Sequence, residues 1–336
     1  MSDAAAKRQH GRYYTIRNPF SHAAFLAWAA RAGLPDAALI EPFAGSNNIV
    51  RMLEDLGLVG RSVSYDIHPA APDVLRRDVF QSYPSHDGVV VTNPPYMARN
   101  SARRRGFDFP ETAFSDLYLY SLDLMLRHHA FVAAIIPAAF GTQAHFRDRL
   151  SHLITLPFND IFGDTDHPVA LALFEPDSVG ASVWHWDTFL GSEAFIRNAI
   201  PELAELVDIR FNDPRGLVGL RAVDGTKHES IRFCRGEEIA PDRIKVSSRS
   251  VSRLTIEGLR PQDIDTFIHL ANEELRAIRR MTRDVILTPF KGLRQDGAFR
   301  RRLDFRTARI IATLAMQKGL TQDVSTDLPL PDVRSA

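Results

Sequence analysis

The chain has 336 residues, 45% of them apolar and 24% charged, which is typical of a globular protein with a sizeable core. This length suits one large domain or two ordinary ones. No apolar run reaches the roughly 20 residues that a membrane-spanning helix needs, so no membrane partner is expected. The formal net charge is zero, which argues neither for nor against nucleic acid as a partner.

The single cysteine, Cys234, excludes a disulfide framework and a cysteine-based zinc site. We predict no metal, and the lone thiol fits a reducing, cytoplasmic location. The first ten residues are polar and lack the apolar segment of a secretory signal peptide, so none is expected.

Charge is unevenly distributed along the chain. Residues 1–200 contain 17 basic and 21 acidic residues, whereas residues 201–336 contain 24 and 20. Arginine outnumbers lysine 36 to 5. Arginine suits contacts with phosphate and guanine, although a genomic composition bias explains the same ratio.

The first predicted helix spans Ser21 to Ala32, with Ser21 as its N-cap. Before it stands Gly11-Arg12-Tyr13-Tyr14-Thr15, which is a loop with aromatic packing on the simplest interpretation. Residues 37–56 then predict a strand, a tight turn and a second helix that begins near Asn48.

The turn between this strand and helix reads Glu41-Pro42-Phe43-Ala44-Gly45-Ser46-Asn47. Gly45 and Ser46 let a ligand approach the backbone closely, and the helix N-terminus faces that ligand. Asn47 tolerates a left-handed conformation better than most residues do, so we expect the turn to survive with Asn at this position.

Two acidic side chains follow this turn. The segment Arg61 to Asp66 is a predicted strand, and Ile67 comes directly after it. A carboxylate at such a strand end can accept hydrogen bonds from ribose hydroxyls. Asp78 is the second acid, and a surface ion pair with a neighbouring arginine is its alternative interpretation.

The most informative stretch is Val89-Val90-Val91-Thr92-Asn93-Pro94-Pro95-Tyr96. Three valines predict a strand that is buried on both faces of a parallel sheet. Two consecutive prolines lack the N–H groups of a strand ladder, so the strand ends there. Ligands of open parallel sheets bind at the carboxyl ends of the strands, which places Asn93 and Tyr96 at a candidate site. A rigid turn without catalytic function is the alternative.

Asn93-Pro94-Pro95-Tyr96 resembles the catalytic motif of S-adenosylmethionine-dependent amino-methyltransferases, which include the N6-adenine DNA methyltransferases. The turn from Glu41 to Asn47 resembles the family's cofactor motif Asp/Glu-Pro-x-x-Gly-Ser-Gly, with Asn47 in place of the last glycine. Residues 11–16 resemble its Gly-x-Tyr-Tyr-Thr-Pro stretch, with Ile16 in place of proline. The resemblance covers residues 11–175. It implies an α/β fold with a Rossmann-like, mostly parallel methyltransferase sheet and an antiparallel last strand.

The resemblance also implies the site residues. Asn93, Pro94, Pro95 and Tyr96 would be catalytic: the Asn93 side-chain oxygen and the Pro94 carbonyl would accept hydrogen bonds from the target amine, and Tyr96 would stack on a flipped adenine. Asp66 would hold the cofactor's ribose and Asp78 its adenine amine. The full set that would bind S-adenosylmethionine is Tyr14, Thr15, Glu41, Pro42, Phe43, Gly45, Asn47, Asp66, Ile67, Asp78 and Asn93.

The rest of the chain predicts further elements. These are a basic loop over Ala98–Gly106, helices over Thr112–His129, Phe140–Leu150 and Asp263–Arg280, and strands over Phe131–Pro137, Ile154–Phe158, Val169–Phe174, Val218–Val223 and Ile231–Cys234. The basic loop would contact phosphates near a flipped base, or else is a solvated charge run. Residues 11–177 would form the catalytic domain, residues 178–320 a smaller α+β DNA-recognition region that begins with a linker, and residues 321–336 a flexible tail.

These features favour a site-specific DNA adenine-N6 methyltransferase with DNA as its partner, and they leave a companion restriction endonuclease open. An RNA adenine or protein glutamine methyltransferase would use the same motif. A nucleic-acid-binding module could keep the fold without catalysis. The Tyr-Tyr-Thr stretch and the C-terminal basic excess favour DNA, and the intact Asn93, Pro94 and Tyr96 favour catalysis.

Overall fold

The computed structural model describes residues 15–84, 86–142, 145–156, 161–162 and 167–326; for residues 142, 291 and 320–326 it describes the backbone alone. The chain divides into two compact units, the first ending at Phe195 and the second beginning at Ile196. The division falls later than the expected boundary at residue 177, because the segment predicted as a linker pairs with the sheet of the first unit. None of the described helices combines the length and apolar character that crossing a membrane requires.

The first unit contains helices on both sides of a large sheet. Its strands are β1 (Ala38–Glu41), β2 (Arg61–Asp66), β3 (Leu75–Arg76), β4 (Val89–Thr92), β5 (Val132–Pro137), β6 (Leu150–Leu156), β7 (Val169–Phe174), β8 (Ser182–His185) and β9 (Thr188–Ser192). Its helices are α1 (Ala23–Arg31), α2 (Asn48–Asp55), α3 (Arg99–Arg105) and α4 (Leu117–His128), and α5 (Glu193–Asn198) spans the division.

The described strands of this sheet are ordered β3-β2-β1-β4-β5-β7-β6-β8-β9. The five strands from β3 to β5 are parallel, and β7 is antiparallel to both β5 and β6. The predicted mostly parallel α/β sheet with an antiparallel strand is therefore confirmed. After β7 the chain adds β8 and β9, which were not predicted.

The order of the strands places a crevice in the middle of the sheet. From β1 the chain proceeds to β2 and β3 on one side, and then returns to place β4 and β5 on the other side. The order reverses between β1 and β4, which are hydrogen-bonded neighbours. In open α/β sheets, ligands bind outside the carboxyl ends of the strands at such a reversal.

The valines of β4 show why the sheet is buried on both faces. Val89 and Val91 belong to the same apolar cluster as Trp28 of α1 and Leu53 of α2. Val90 lies between them in sequence and points to the opposite face, where it joins the cluster that includes Leu122 of α4. Because side chains alternate across a strand, a continuous apolar run is what two covered faces require.

Two predictions in the first unit, one of a helix and one of a loop, need correction. The predicted helix over Phe140–Leu150 is wrong: a short 3-10 helix over Ala138–Thr142 is followed by turns, and Leu150 begins β6. The Arg149 guanidinium donates to the carbonyls of residues 126, 129 and 130 at and just beyond the end of α4, so this segment is held by tertiary contacts. The predicted basic loop is largely the helix α3, which ends at Gly106 with a φ of 69°.

The second unit combines a small antiparallel sheet with two long helices. Its elements are β10 (Ile209–Phe211), β11 (Val218–Arg221), β12 (Arg232–Arg235), β13 (Val251–Ile256), α6 (Ile264–Thr282), β14 (Thr288–Leu293), β15 (Phe299–Arg302) and α7 (Phe305–Thr326). Strands β10-β13-β11-β12 form the sheet, whereas β14 and β15 form a separate ribbon. The smaller α+β region that the sequence predicts is thus present. Helix α7 continues to Thr326, past the start of the expected flexible tail at residue 321, and residues 327–336 lie outside the described part.

Candidate cofactor and catalytic site

Three predicted site residues stand at the carboxyl ends of three adjacent parallel strands. Glu41 ends β1, Asp66 ends β2, and Asn93 directly follows β4. Because β2, β1 and β4 are neighbours in that order, their ends meet at one edge of the sheet. This edge includes the reversal of strand order between β1 and β4.

The turn after β1 folds back on the end of β2. The Gly45 N–H donates to the Asp66 carboxylate at 2.8 Å, and Gly45 has a φ of 52°. Asn47 adopts the predicted left-handed conformation, with a φ of 64°. Its side-chain oxygen accepts a hydrogen bond from Ser64, and its amide nitrogen donates to Asp73 at 2.7 Å. These side-chain bonds hold the turn in its left-handed conformation with asparagine at this position.

The two predicted acidic ligands both face a cavity at this edge. One oxygen of Asp66 accepts the Gly45 N–H and the other accepts the His68 N–H at 2.7 Å. An ionised carboxylate has about four acceptor positions, so Asp66 retains capacity for a ligand. Asp78 accepts the N–H of Phe80 at 3.0 Å, while the neighbouring Arg77 donates to Ser82.

Glu41 lies beneath the cavity and is only 1% exposed. One of its oxygens accepts hydrogen bonds from the Phe43 N–H, at 2.9 Å, and from the Thr92 hydroxyl. Its other oxygen is buried and has no hydrogen-bond partner among the described residues, and the same is true of the Tyr83 hydroxyl. Burial raises the pKa of Glu41 to about 8, so its carboxyl is protonated at neutral pH.

The Tyr96 hydroxyl is hydrogen-bonded to Asn93, and Tyr96 does not line the cavity. Its hydroxyl lies 2.6 Å from the Asn93 side-chain oxygen and 2.7 Å from the Ile135 carbonyl oxygen. The Asn93 amide nitrogen donates to the Thr15 hydroxyl at 3.4 Å. The Tyr96 ring packs against the rings of Phe162 and two other residues, Tyr118 and His167. These bonds orient the Asn93 amide.

The cavity has a volume of about 680 Å³ and brings together about half of the predicted site residues. Those that line it are Pro42, Phe43, Asp66, Ile67, Asp78, Asn93 and Pro95. The predicted residues that do not line it are Thr15, Glu41, Gly45, Asn47, Pro94 and Tyr96, and most of these contact a residue that does. Tyr14 lies outside the described residues.

The sequence did not identify the outer wall of the cavity. This wall is the segment Phe107–Glu111, together with Met97, Leu117 and Tyr120. The segment Phe107–Glu111 belongs to a folded excursion that begins at Ala98 and returns at Asp116, and these two residues form an isolated antiparallel bridge. The only sequence signal is a pair of phenylalanines directly after the helix-ending Gly106, which indicates no particular structure.

The Arg99 side chain holds this excursion closed at its base. Its guanidinium donates to the backbone carbonyls of Thr112 and Phe114. It also lies 5.1 Å from the centre of the Phe109 ring, a cation–π distance. Through these contacts, Arg99 links the wall of the cavity to the segment that follows Tyr96 in sequence.

The lining fits a cofactor that contains a nucleoside. The volume is within the range of small-molecule sites, which are mostly apolar with a few polar groups. Phe43 and Phe80 lie 5.6 Å apart, and Phe80 stacks on Tyr120 at 5.5 Å, which provides aromatic surfaces for a base. Asp66 and Asp78 provide carboxylates for hydroxyl and amine donors. In the described part of the chain, no group of histidine, cysteine and acidic side chains could hold a metal ion.

No protein-family model and no curated protein matches this chain. Solved structures with a similar fold include a putative class I S-adenosylmethionine-dependent methyltransferase from Listeria monocytogenes, at 13% identity and a TM-score of 0.35 over 51% of this chain and 68% of that one. They also include a modification subunit of a putative type I restriction enzyme from Vibrio vulnificus YJ016, at 13% identity and a TM-score of 0.35 over 54% and 48%. A third is the M protein of the type I restriction enzyme EcoKI, at 13% identity and a TM-score of 0.36 over 81% and 72%. At these values the similarity does not establish a family.

Proposed function

We propose that this chain is an S-adenosylmethionine-dependent methyltransferase that acts on the N6 amine of adenine in DNA. The observation that carries this proposal is the cavity at the reversal of strand order. Asn93 and Pro95 of the catalytic motif and the two carboxylates Asp66 and Asp78 line this same cavity. The arrangement suits a reaction between a nucleoside cofactor and an amine.

The carboxylates and aromatic rings of the cavity would bind the cofactor. Asp66 would accept hydrogen bonds from the ribose hydroxyls, since its backbone partners leave acceptor positions unused. Asp78 would accept from the adenine amine, and the Phe43 and Phe80 rings, which also line the cavity, would supply aromatic contacts to the base. When bound, S-adenosylmethionine supplies an electrophilic methyl group.

Asn93 and Pro94 would activate the target nitrogen. The exocyclic amine of adenine is a poor nucleophile because its lone pair is delocalised into the ring. If the Asn93 side-chain oxygen and the Pro94 carbonyl each accept one amine N–H, the nitrogen becomes tetrahedral and its lone pair is freed. The two dipoles also stabilise the positive charge that develops on nitrogen during transfer. No strong general base is required before this step.

Tyr96 would keep the Asn93 amide in the productive orientation. The Tyr96 hydroxyl and the Thr15 hydroxyl bond opposite ends of this amide, so both ends of the Asn93 side chain are held in position. An amide oxygen has a second lone pair that remains for the target amine. Stacking of Tyr96 on the base would require its ring to leave the aromatic neighbours that now surround it.

The proposal is tested by expressing the protein in a host that lacks DNA methylation, followed by modification-sensitive sequencing. A specific N6-methyladenine motif is expected with the wild type. Asn93→Ala should reduce methyl transfer by at least about a hundredfold, the scale for one deleted preorganised polar group. Cofactor affinity, measured by calorimetry, should change much less than the rate, because the bond to the target amine is strongest in the transition state. The exposed Asn198→Ala is the matched control.

Near-normal turnover by Asn93→Ala would overturn the catalytic assignment and leave the rigid-turn interpretation in its place. Unmodified DNA together with methylated RNA or methylated glutamine would retain the chemistry and refute DNA as the substrate. Cofactor binding without methyl transfer to any of the three would identify a binding module.

A further inference from the structure

Most of the arginines in the second unit already bind other residues of the chain. Arg253 donates to the carbonyls of Ile239 and Pro214, and Arg279 is bonded to two aspartates. Other arginines of this unit with side-chain partners are Arg210, Arg215, Arg221, Arg232, Arg235, Arg260, Arg294, Arg300 and Arg309. These arginine side chains are therefore already used in contacts within the chain.

Two groups of exposed basic side chains have no ion pair or hydrogen bond among the described residues of this unit. One is Arg243, Lys245 and Arg249, in an irregular loop. The other is Arg276, Arg280 and Arg283, at the C-terminal end of α6. The second group has a regular geometry that the first lacks.

Helical spacing places Arg276 and Arg280 in one row, which the C-cap residue Arg283 continues. Residues that are three or four apart lie on the same face of a helix, one above the other. With a rise of 1.5 Å per residue, the row is about 10 Å long. Arg283 is the C-cap and extends the row past the last turn, with a φ of 45°.

The end of α6 is fixed by a buried ion cluster directly behind this row. Arg279 is 7% exposed and is bonded to Asp224, which is fully buried, and to Asp284. Asp224 also accepts the backbone N–H groups of Ser230 and Ile231. The three exposed arginines therefore project from a rigid element, which lowers the ordering cost of binding.

This row of charges contributes little to the stability of the protein itself. Like charges at helical spacing destabilise a helix. The helix dipole favours cations only within the last turn, which does not account for Arg276. Nearby acids have other partners: Asp284 is bonded to Arg279, Glu274 to Lys318, and Glu273 lies 3.7 Å from the His269 ring nitrogen. The row fits a polyanion with regularly spaced charges.

We propose that Arg276, Arg280 and Arg283 form a binding surface for the phosphate backbone of DNA. This inference rests on the proposed DNA substrate, and it names which residues of the second unit bind that substrate. The contacts would be independent of base sequence, since phosphates carry none. Recognition of the target sequence would come from other residues.

The test uses the full chain and a fluorescent DNA duplex, with binding followed by anisotropy at several salt concentrations and without cofactor. Arg276→Gln, Arg280→Gln and Arg283→Asn are combined in one variant; Asn is chosen at residue 283 because it tolerates a left-handed backbone. Each lost phosphate contact should reduce the slope of log affinity against log salt by about 0.9, or about 2.7 for all three. The matched control combines Arg243→Gln, Lys245→Gln and Arg249→Gln, which removes the same net charge.

The expected result is a large reduction of the slope for the α6 variant and little change for the control. Equal reductions in both variants would refute the proposed surface, because net charge alone would then explain the effect. An unchanged slope in the α6 variant, with the wild type binding DNA, would refute the surface and leave the proposed substrate intact. A wild type that binds no DNA would refute both. Thermal unfolding of all three proteins verifies that the variants are folded.

Discussion

Glu41→Gln is expected to remove a large pH dependence from the stability of this protein. In the unfolded chain the Glu41 carboxyl has its ordinary pKa of 4.5, whereas burial in the folded chain raises that pKa to about 8. Folding therefore takes up a proton between these two pH values. A difference of this size corresponds to about 5 kcal/mol of unfolding free energy.

The direction of the effect follows from which state binds the proton more tightly. Below about pH 4.5 Glu41 is protonated in both states and its ionisation costs nothing. As the pH rises to about 8, the Glu41 carboxyl ionises in the unfolded chain. In the folded chain it stays protonated, because its ionisation would place a charge in the interior. The unfolding free energy of the wild type should therefore fall across this range relative to that of the glutamine variant. Glutamine retains an acceptor for the Phe43 N–H and the Thr92 hydroxyl, so the fold is preserved.

Urea unfolding at pH values from 4.5 to 9, followed by tryptophan fluorescence, measures this difference. All three tryptophans lie in the first unit, at residues 28, 184 and 186, so their emission reports on the unit that contains Glu41. Glu54→Gln is the matched control, because Glu54 is exposed on α2. If the difference in unfolding free energy between wild type and Glu41→Gln is constant across this range, then Glu41 is not a buried, protonated carboxyl.

Three further substitutions test the site and the second unit. Asp66→Ala should weaken S-adenosylmethionine binding by roughly 1.5–3 kcal/mol, the scale of a charged hydrogen bond, and unchanged affinity in calorimetry would remove Asp66 from the site. Tyr96→Phe keeps the ring but loses the hydrogen bond to Asn93, so single-turnover methyl transfer should fall roughly 2- to 12-fold; an unchanged rate would mean that the hydroxyl does not orient Asn93. Arg279→Met leaves Asp224 buried without its cation and should lower the unfolding free energy by about 3–5 kcal/mol. Denaturant unfolding of the full chain measures this, and a loss under 1 kcal/mol would show that Asp224 finds other partners.

The sequence predicts the structure best where the local residue pattern allows only one backbone conformation. Val89 to Tyr96 predicts a buried strand and its end because two prolines cannot continue a ladder, and β4 ends at Thr92 as expected. Asn47 replaces a glycine at a left-handed position, and the observed φ of 64° agrees with that interpretation. The carboxyl ends of parallel strands then bring Glu41, Asp66 and Asn93 to one edge of the sheet without any knowledge of tertiary contacts.

Prediction fails where distant contacts decide the structure. Residues 178–200 are predicted to contain a linker because two tryptophans stand in a polar segment, yet Trp184 pairs with Ile154 of β6 and extends the sheet. The dipeptide Asp224-Gly225 indicates a hairpin, and β11 and β12 do form an antiparallel pair, but ten residues separate the two strands and Asp224 is a buried partner of Arg279. In both cases the deciding partner is remote in sequence, and no periodicity signals it.

The excursion between Ala98 and Asp116 gives the cavity a wall that can vary on its own. Its two ends are joined by one antiparallel bridge. The pairing of β4 with β5 does not involve the residues between these ends. Residues 100–115 could therefore be lengthened, shortened or exchanged during evolution without disturbing the register of the sheet. The same independence offers an engineer a single exchangeable segment through which to reshape the mouth of the cavity.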